Sequence, residues 1–374
     1  MMEMQKVAGI GIVGYGGFGK FLRESWDIMP EVRVVAVCDE DISRQPEASG
    51  LATPRFFDDY SEMLQDSKVD IVCVATPPSS HKKMALDAIA AGKHALVEKP
   101  LATTAADARA IAEAAAKAGV VATVDFMLRF DPLVKVLREL IAARVFGKLY
   151  RIDLRNYAQS EGLPEGHWFW DQSISGGILI EHGVHFFDLA AYLNQSPPIR
   201  VTGAAVERKP GMEDRVFATV TYENGVIGTF WHSFSLPLPL ERTTIQFAFD
   251  LGEVNVSGWV PLDAEFRGWT NKEGVRMLKR LFPGAMIQQE PREPEVCRSA
   301  GEEYTVCSSI QGSYALPKAK PEVYADCLRD IMRDFVYATN DPSCPLRVTA
   351  QDGIAAVELA EQATAAARRG TRNG

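Results

Sequence analysis

The feature that most constrains the fold is a glycine-rich turn that directly follows an apolar run near the start of the chain. Val7–Val13 is apolar and leads into the segment GYGGFG, which has the G-x-G-x-x-G spacing. The first glycine permits a sharp turn out of a strand, the second lets a pyrophosphate approach the backbone, and the third lets the next helix pack closely. The sequence therefore predicts a strand, a phosphate-binding turn and a helix. The residues predicted to bind a dinucleotide at this turn are Gly14, Gly16, Gly17, Phe18 and Gly19.

A carboxylate follows the second apolar run. Val32–Val37 is followed by Cys38 and Asp39, and Asp39 lies 20 residues beyond Gly19. A carboxylate at this place accepts hydrogen bonds from an adenosine ribose. The alternative is a tight strand–helix turn in a domain that binds no nucleotide. The turn and Asp39 together favour the dinucleotide.

The charges after this strand predict NAD rather than NADP. Asp39, Glu40 and Asp41 are consecutive, and carboxylates repel the 2′-phosphate that distinguishes NADP. Arg44 is the residue in this stretch that could bind such a phosphate.

Length and charge limit the classes of protein to consider. At 374 residues the chain is long for one domain, so two are expected. The formal net charge is −9 and the pI about 5.3, which argues against a nucleic-acid partner. No apolar run is long enough to cross a bilayer, and residues 1–6 lack the cationic start of a secretory signal. A cytoplasmic protein with no membrane partner is therefore expected.

The cysteines predict neither a zinc site nor a disulfide framework. None forms C-x-x-C, and no Cys/His cluster has the spacing of zinc ligands, so no metal is predicted. Cys38 and Cys73 fall in predicted strands as small core residues. Cys297 and Cys307 could meet across a hairpin, but thiols in a reducing cytoplasm are the expectation. The six cysteines are Cys38, Cys73, Cys297, Cys307, Cys327 and Cys344.

The first third of the chain alternates strand and helix patterns. Near-continuous apolar strands are typical of a parallel sheet covered on both faces. Six strands with helical crossovers predict a doubly wound sheet, which binds ligands at the carboxyl ends of its strands. The predicted strands are Val7–Val13, Val32–Val37, Arg55–Phe57, Asp70–Ala75, His94–Val97 and Val120–Val124. The predicted helices are Phe18–Ile28, one capped by Asp58, one capped by Ser79 or Ser80, and one capped by Thr103 or Thr104.

Three motif-bearing stretches resemble a known family. Residues 69–104, VDIVCVATPPSSHKKMALDAIAAGKHALVEKPLATT, contain a TPxxxH turn, AGKH and EKP; RFDP follows at 129–132 and SGGILIEHGVHFFDL at 175–189. The chain resembles the Gfo/Idh/MocA family of nicotinamide-dependent oxidoreductases over nearly its whole length, most weakly from about 261 to 317. The resemblance implies a Rossmann domain over residues 1–128. It also implies an α+β domain over 129–374 with a large, mainly antiparallel, open-faced sheet.

The second half of the chain is consistent with this division. Asn224-Gly225 is a strong hairpin signal, and the polar stretch Pro261–Pro317 is interpreted as loops and short strands. Asp131-Pro132 begins a helix that Gly147 is predicted to end. The predicted strands are Leu149–Tyr157, Ile199–Val206, Asp214–Tyr222, Val226–Ser233, Thr243–Phe249 and Glu253–Ser257. Further helices are predicted over Ile178–Leu193, Tyr324–Thr339 and Ala350–Arg368, and the last helices are expected to pack back on the Rossmann domain.

Three residues are candidates for catalysis. The resemblance implies that Lys99 of EKP is catalytic, because an ammonium held near the cofactor can bind a substrate hydroxyl. Glu181 and His185 are four apart on a predicted helix, so they share a face. A carboxylate beside an imidazole orients it and raises its basicity. The family pattern at this place is D-x-x-x-H, so Glu181 is a departure from it. His182 competes with His185, but only His185 matches the motif.

Other residues are candidates for binding. Aromatic rings suit the C–H faces of sugars, so Trp168 and Trp170 are candidates for substrate contact, with aromatic core as the equal alternative. Arg129 is a candidate for the nicotinamide side or an acidic substrate group, or is structural, and His182 is a further substrate candidate. The resemblance also implies cofactor contacts at the ends of the fourth and fifth strands, from Thr76, Pro77, His81, Glu98 and Lys99.

The resemblance implies hydride transfer between NAD and a hydroxyl or carbonyl of a sugar, cyclitol or related polyol. Two alternatives stay open at this point: an NAD-using lyase or glycosidase that works through transient oxidation, and a non-catalytic dinucleotide sensor. Lys99, His185 and the carboxylate at residue 181 argue against the sensor. A homodimer or homotetramer is expected, because the long sheet of the second domain needs a cover. Its candidate apolar residues are Phe217, Ile227, Trp231, Phe247 and Phe249.

Overall fold

The computed structural model describes residues 7–46, 53–341 and 343–371. The chain forms two compact units: residues 1–127, 171–185 and 324–361 make the first, and residues 128–170, 186–323 and 362–374 make the second. The first break falls one residue from the predicted boundary at 128/129. Residues 171–185 and 324–361 also belong to the first unit. Only 171–185 departs from the predicted division, in which the last helices pack back on the Rossmann domain.

Both strands and α-helices occur along most of the chain. The strands are β1 (Ala8–Val13), β2 (Val32–Cys38), β3 (Arg55–Phe57), β4 (Ile71–Val74), β5 (His94–Val97), β6 (Ala122–Val124), β7 (Leu149–Gln159), β8 (Pro198–Lys209), β9 (Met212–Tyr222), β10 (Ile227–Leu236), β11 (Arg242–Phe249), β12 (Gly252–Ser257), β13 (Asp263–Thr270), β14 (Met286–Ser299) and β15 (Glu302–Ala315). The α-helices are α1 (Gly17–Trp26), α2 (Tyr60–Leu64), α3 (His81–Ala90), α4 (Ala105–Ala118), α5 (Pro132–Ala142), α6 (Gln172–Ser175), α7 (Val184–Asn194), α8 (Lys272–Leu281), α9 (Lys320–Asn340) and α10 (Ala350–Thr371).

The first unit is built on a parallel sheet. Within the described residues its strand order is β3-β2-β1-β4-β5-β6, and each neighbouring pair runs parallel. This order changes direction between β1 and β4, and ligands of such sheets bind in the crevice outside the strand ends at that point. The predicted doubly wound Rossmann fold is confirmed.

Local capping explains where the helices of this unit begin. The Asp59 side chain accepts from the backbone N–H of Ser61 at the start of α2, so the predicted cap at Asp58 is wrong by one residue. Thr104 caps α4 as predicted, accepting from Asp107 N at 3.1 Å. Gly119 ends α4 in the left-handed conformation, with φ of +68°.

The predicted helix over 178–193 is in fact two kinds of helix. Leu179–Gly183 is a π-helical turn, and α7 follows it directly. A π-turn inserts a wider i→i+5 hydrogen-bonding pattern, and such turns are frequent at functional sites. Side chains spaced four apart across it therefore do not stack as they would on an α-helix.

The second unit contains a large sheet. Within the described residues its order is β14-β15-β13-β12-β11-β7-β10-β9-β8. β7 and β10 pair in parallel, while the other neighbours are antiparallel. The Asn224-Gly225 turn joins β9 and β10, with Gly225 at φ of +85°, so the predicted hairpin is confirmed.

The two faces of this sheet differ in character. One face packs Ile152, Phe230 and Phe247 against the α7 residues Phe186 and Leu189. Strand alternation places Asp153 of β7 on the other face, with the neighbouring arginines of its strand ion-paired to it. The prediction that Phe247 and Phe249 lie on an uncovered face is wrong, because they are 0% and 3% exposed. Ile227 is 44% exposed, and Phe217 and Trp231 are half-buried.

The stretch 261–317 is more regular than predicted. Instead of loops and short strands it contains β13, α8, and the 14-residue strands β14 and β15. β14 is an edge strand, and Pro291 lies at a register irregularity in it, which is where a sheet tolerates proline. Its side chains are mostly exposed, so the alternation that marks a half-buried strand is missing from its sequence.

Helix α5 and the cysteines of the β14–β15 hairpin bear on two smaller predictions. Helix α5 ends at Ala142 rather than at Gly147.

Cys297 lies opposite Tyr304 in the β14–β15 register, and Cys297 and Cys307 are both thiols. Within the described ranges, no helix combines the length and apolarity that a membrane crossing requires.

Candidate active site

The glycine turn has the geometry that the motif predicts. Gly14 has φ of +90°, and a Cβ there would lie 2.5 Å from the Ala75 carbonyl oxygen. A Cβ at Gly19 would lie 2.2 Å from the Gly14 carbonyl oxygen. Gly17 is exposed with open space around it, and it begins α1. The chain therefore leaves room over the first turn of α1, where backbone N–H groups can bind phosphate.

Phe18 faces a different environment from the glycines. Its ring packs against those of Phe21 and Tyr324, with centroids 6.3 Å and 6.2 Å away. Tyr324 belongs to α9, and the first unit includes this residue. Phe18 is half-buried, so it helps to fix α1, and its cofactor contact stays a prediction.

Asp39 lies beside this turn. Its Oδ2 accepts the backbone N–H of Tyr15 at 2.8 Å, and its Oδ1 accepts that of Asp41 at 3.0 Å. Arg44 donates to the same Oδ2 at 2.9 Å. The structure thus brings the predicted ribose-binding carboxylate and the glycine turn together.

His81 is fully buried between two backbone carbonyls. Its Nδ1 lies 2.7 Å from the Pro100 oxygen and its Nε2 lies 2.8 Å from the Thr76 oxygen. Burial lowers the pKa of His81. Both ring nitrogens face backbone carbonyls, so His81 joins the turn after β4 to the loop after β5. Its direct contact with the cofactor stays a prediction.

Thr76 and Pro77 remain accessible in that turn. Thr76 is half-buried and Pro77 exposed, and the Thr76 hydroxyl shares a 2.6 Å hydrogen bond with the hydroxyl of Ser80. The exposure of both residues permits contact with the cofactor, and this contact stays a prediction.

Lys99 and Glu181 form a close ion pair. Lys99 Nζ lies 2.6 Å from Glu181 Oε1 and also donates to the Glu181 carbonyl oxygen at 2.9 Å. The two side chains are 16% and 11% exposed. Little water screens such a pair, so its charges interact more strongly than they would at the surface. Glu181 was expected to orient His185, whereas its carboxylate binds Lys99; a direct role toward His185 stays a prediction.

Two histidines complete this cluster. The His182 and His185 rings lie 6.1 Å apart at 81°, and His185 is 6% exposed. Burial, with the nearby positive charge of Lys99, lowers the pKa of His182 to about 3. His182 is therefore neutral at any working pH and is a weak base, which favours His185 for proton transfer.

A second pair of carboxyl groups lies at the ends of β5 and β6. Val97 and Val124 are opposite in the sheet, so Glu98 and Asp125 come next along the two strands, and each carboxyl affects the pKa of the other. Burial raises the pKa of Asp125 to about 6. Burial and the Asp125 charge raise that of Glu98 well above its usual range. Asp125 was not among the predicted site residues, although its place at a strand end was a signal for it.

This pair predicts a pH-dependent stability. Because the folded state raises the pKa of Asp125 from 3.8 to about 6, folding binds its proton, and that stabilisation is lost as the pH rises through about 6. Replacing Asp125 with asparagine removes the titration of this carboxyl and leaves that of Glu98. We expect the Tm of the unchanged protein to fall relative to that of Asp125→Asn as the pH rises from about 4 to about 6, and the difference to stay constant above that. Thermal melts of both proteins across this range would check it, and parallel curves would contradict it.

Three predicted substrate residues belong to the second unit. Arg129 is 6% exposed and makes a two-point contact with Asp188, at 2.9 Å and 2.5 Å. Of the roles proposed for Arg129, these contacts support the structural one. Trp170 is 6% exposed and donates its indole N–H to Leu163, which supports the core alternative for this residue. Trp168 is half-buried, and its role in substrate binding stays a prediction.

Comparison with known proteins assigns the chain to a family. Residues 8–126 match the GFO/IDH/MocA family model described as "Oxidoreductase family, NAD-binding Rossmann fold". Residues 134–252 match the model of the GFO/IDH/MocA C-terminal domain. The chain belongs to the Gfo/Idh/MocA family. Its first unit is thus an NAD-binding Rossmann fold, as the glycine turn and Asp39 predict.

Individual relatives are more distant. The chain is 31% identical over 235 residues to D-glucoside 3-dehydrogenase of Escherichia coli (strain K12), covering 58% of this chain and 66% of the relative. It is 31% identical over 229 residues to scyllo-inositol 2-dehydrogenase (NAD(+)) of Bacillus subtilis (strain 168), covering 59% and 64%. The matches thus span slightly less than two thirds of either relative. The crystal structure of GenD2 from gentamicin A biosynthesis, in complex with NAD, superposes with a TM-score of 0.75 at 24% identity, covering 98% of this chain and 96% of GenD2.

Proposed function

We propose that this protein is an NAD-dependent oxidoreductase that transfers hydride between nicotinamide and a hydroxyl or carbonyl of a sugar, cyclitol or related polyol. The observation that carries the proposal is the buried Lys99–Glu181 ion pair with His185 on the same helical segment. The names of the two relatives, a glucoside dehydrogenase and an inositol dehydrogenase, support this substrate class.

The residues of the first unit fit NAD. Gly14 and Gly19 lie where a Cβ would collide with backbone, and Gly17 leaves open space at the start of α1. Asp39, held by the Tyr15 N–H, presents carboxylate oxygens beside this turn. A pyrophosphate can therefore lie over the turn and a ribose against Asp39. When bound, NAD supplies the hydride acceptor.

The protein handles the proton of the reaction. Oxidation of an alcohol removes hydride from carbon and a proton from oxygen, and His185 is the base that takes the proton from the hydroxyl. Lys99 donates a hydrogen bond to the same oxygen and stabilises the negative charge that develops on it. Glu181 holds the Lys99 ammonium through the 2.6 Å contact.

A substrate panel tests this function. Purified protein is mixed with NAD and a set of sugars, cyclitols and polyols while the absorbance of reduced cofactor is followed. Oxidation of at least one of them is expected. Cleavage of a glycoside with no net NADH would instead support the lyase alternative, and NAD binding with no reaction on any substrate would support the sensor.

Glu181→Gln should lower kcat less than removal of His185 does. Glutamine keeps the shape of the side chain and one acceptor oxygen but loses the charge that holds Lys99. Losing a charge-assisted hydrogen bond should lower kcat roughly tenfold. Glu181→Asp introduces the residue that the family usually has at this position. The shorter side chain should alter substrate preference. Steady-state kinetics of both variants on the same substrate check this. A Glu181→Gln enzyme with unchanged kcat would contradict the role of the ion pair.

We also propose that the protein is a homodimer or homotetramer formed through the open face of the large sheet. On that face, Phe217 and Trp231 lie opposite each other on β9 and β10 and are half-buried. Apolar surface of this kind is commonly covered by a second copy. Trp231→Glu should weaken the assembly. Light scattering of both proteins at micromolar concentration tests the idea, and a monomeric unchanged protein would contradict it.

A cytoplasmic location is part of the proposal. Thiols are the usual state of cysteines in such a reducing compartment. Fractionation of cells that express the protein would test it.

A further inference from the structure

We propose that Arg44 is a latent ligand for the 2′-phosphate of NADP, and that Asp39 sets the preference for NAD by holding this guanidinium as well as by its own negative charge. The inference rests on the proposed NAD-dependent function, since it concerns the adenosine end of the same site. It assigns a specificity-determining role to an ion pair rather than to Asp39 alone.

The contacts of Arg44 show how it is held. Its Nη1 lies 2.9 Å from Asp39 Oδ2, and its Nε lies 3.3 Å from Asp41 Oδ2. Asp41 is itself fixed, because its Oδ1 accepts the backbone N–H of Ser43 at 3.0 Å and the hydroxyl at 2.6 Å. Two carboxylates therefore bind one guanidinium.

The guanidinium also lies over the glycine turn. A Cβ built on Gly16 would be 3.4 Å from Arg44 Nη1 and 3.9 Å from its Cζ. The Arg44 side chain is 43% exposed, while that of Asp39 is only 9% exposed. Arg44 is thus an accessible cation beside the backbone that binds the dinucleotide, whereas Asp39 is the more buried, fixed partner.

These positions give Asp39 two effects on cofactor choice. A ribose 2′-hydroxyl can donate to Asp39 in place of Arg44, which stays bound to Asp41. A 2′-phosphate cannot donate a hydrogen bond to Asp39, and the two negative charges repel each other. The nearest guanidinium, that of Arg44, is already ion-paired with Asp39 and Asp41. If the Asp39 charge is removed, Arg44 becomes available for a charge-assisted bond to phosphate, the usual way in which an arginine near this site accommodates NADP.

Four variants separate the two effects. Asp39→Asn keeps the size of the side chain and an oxygen for the Tyr15 N–H but removes the charge. Asp39→Asn/Arg44→Ala removes the latent ligand as well. Arg44→Ala alone shows what Arg44 does while Asp39 is intact. Glu40→Gln is the matched control, because it removes one negative charge from the adjacent, exposed position. Circular dichroism confirms that each variant is folded, and titration calorimetry gives the Kd for NAD, NADP and adenosine 2′,5′-bisphosphate.

We expect Asp39→Asn to bind NADP and the bisphosphate roughly tenfold to a hundredfold more tightly than the unchanged protein, the size of a hydrogen bond between charged groups. Adding Arg44→Ala should abolish most of that gain, and Glu40→Gln should gain far less. Arg44→Ala alone should leave NADP binding weak.

Equal NADP affinity in Asp39→Asn with and without Arg44 would overturn the inference, because relief of repulsion would then explain the whole gain. An equal gain from Glu40→Gln would also overturn it. Failure of the unchanged protein to bind NAD is a separate outcome that would contradict the proposed function and this inference with it.

Discussion

Replacing His185 with alanine should lower kcat by about 10²–10⁴, the usual cost of losing a general base, while the Kd for NAD stays nearly unchanged. His185 is 6% exposed and follows the π-helical turn that carries Glu181. Cofactor binding should survive because this variant leaves the glycine turn and Asp39, the proposed contacts of NAD, unchanged. Steady-state kinetics on the true substrate, with calorimetry for NAD, measure both quantities.

His182→Ala is the matched control for this prediction. Its ring is 6.1 Å from that of His185, but its lowered pKa, about 3, makes it a poor base. His182→Ala should therefore lower kcat less than His185→Ala does. Full activity in His185→Ala would show that the assignment is wrong and would make His182 the next candidate.

Removing the Lys99 ammonium should also cost about 10²–10³ in kcat, because the developing charge on the substrate oxygen loses its donor. Lys99→Ala additionally leaves the Glu181 carboxylate, which is 11% exposed, without its cation. Leaving a buried charge unpaired destabilises a protein, so this variant should also melt at a lower temperature.

A double variant separates these two effects. Lys99→Met/Glu181→Gln removes both charges, so it should recover much of the thermal stability that Lys99→Met loses, but none of the turnover. Melting curves and kinetics of the single and double variants check this. Recovery of turnover in the double variant would show that Lys99 acts only by neutralising Glu181.

The Rossmann unit could be predicted because its information is local. Each parallel strand is an apolar run that ends in a turn or cap, and the glycine turn has a fixed spacing. β14 could not be predicted in this way, since an exposed edge strand that contains Pro291 carries neither an apolar run nor a clear alternation. The polar composition around α8 concealed a helix for the same reason.

The sequence predicts which residues belong to the candidate site more fully than it predicts the contacts between them. The sequence identifies Lys99, Glu181 and His185, but it assigns Glu181 to its helical neighbour. The observed partner, Lys99, is 82 residues away, and no local pattern encodes a contact at that distance. His81 shows the converse: the motif marks it, yet its two carbonyl contacts are visible only once the turn and the loop after β5 are folded together.

The first unit is assembled from three separate stretches of chain, and this has a consequence for synthesis on the ribosome. The indole N–H of the fully buried Trp26 donates to the Leu328 carbonyl, and the Thr123 hydroxyl donates to that of Val348. A nascent chain that has reached only residue 127 lacks both acceptors and the helix surface that covers α1. Domains generally fold as units during translation. We therefore expect this domain to complete its fold only after residues 324–361 have left the exit tunnel, with its apolar strands exposed until then.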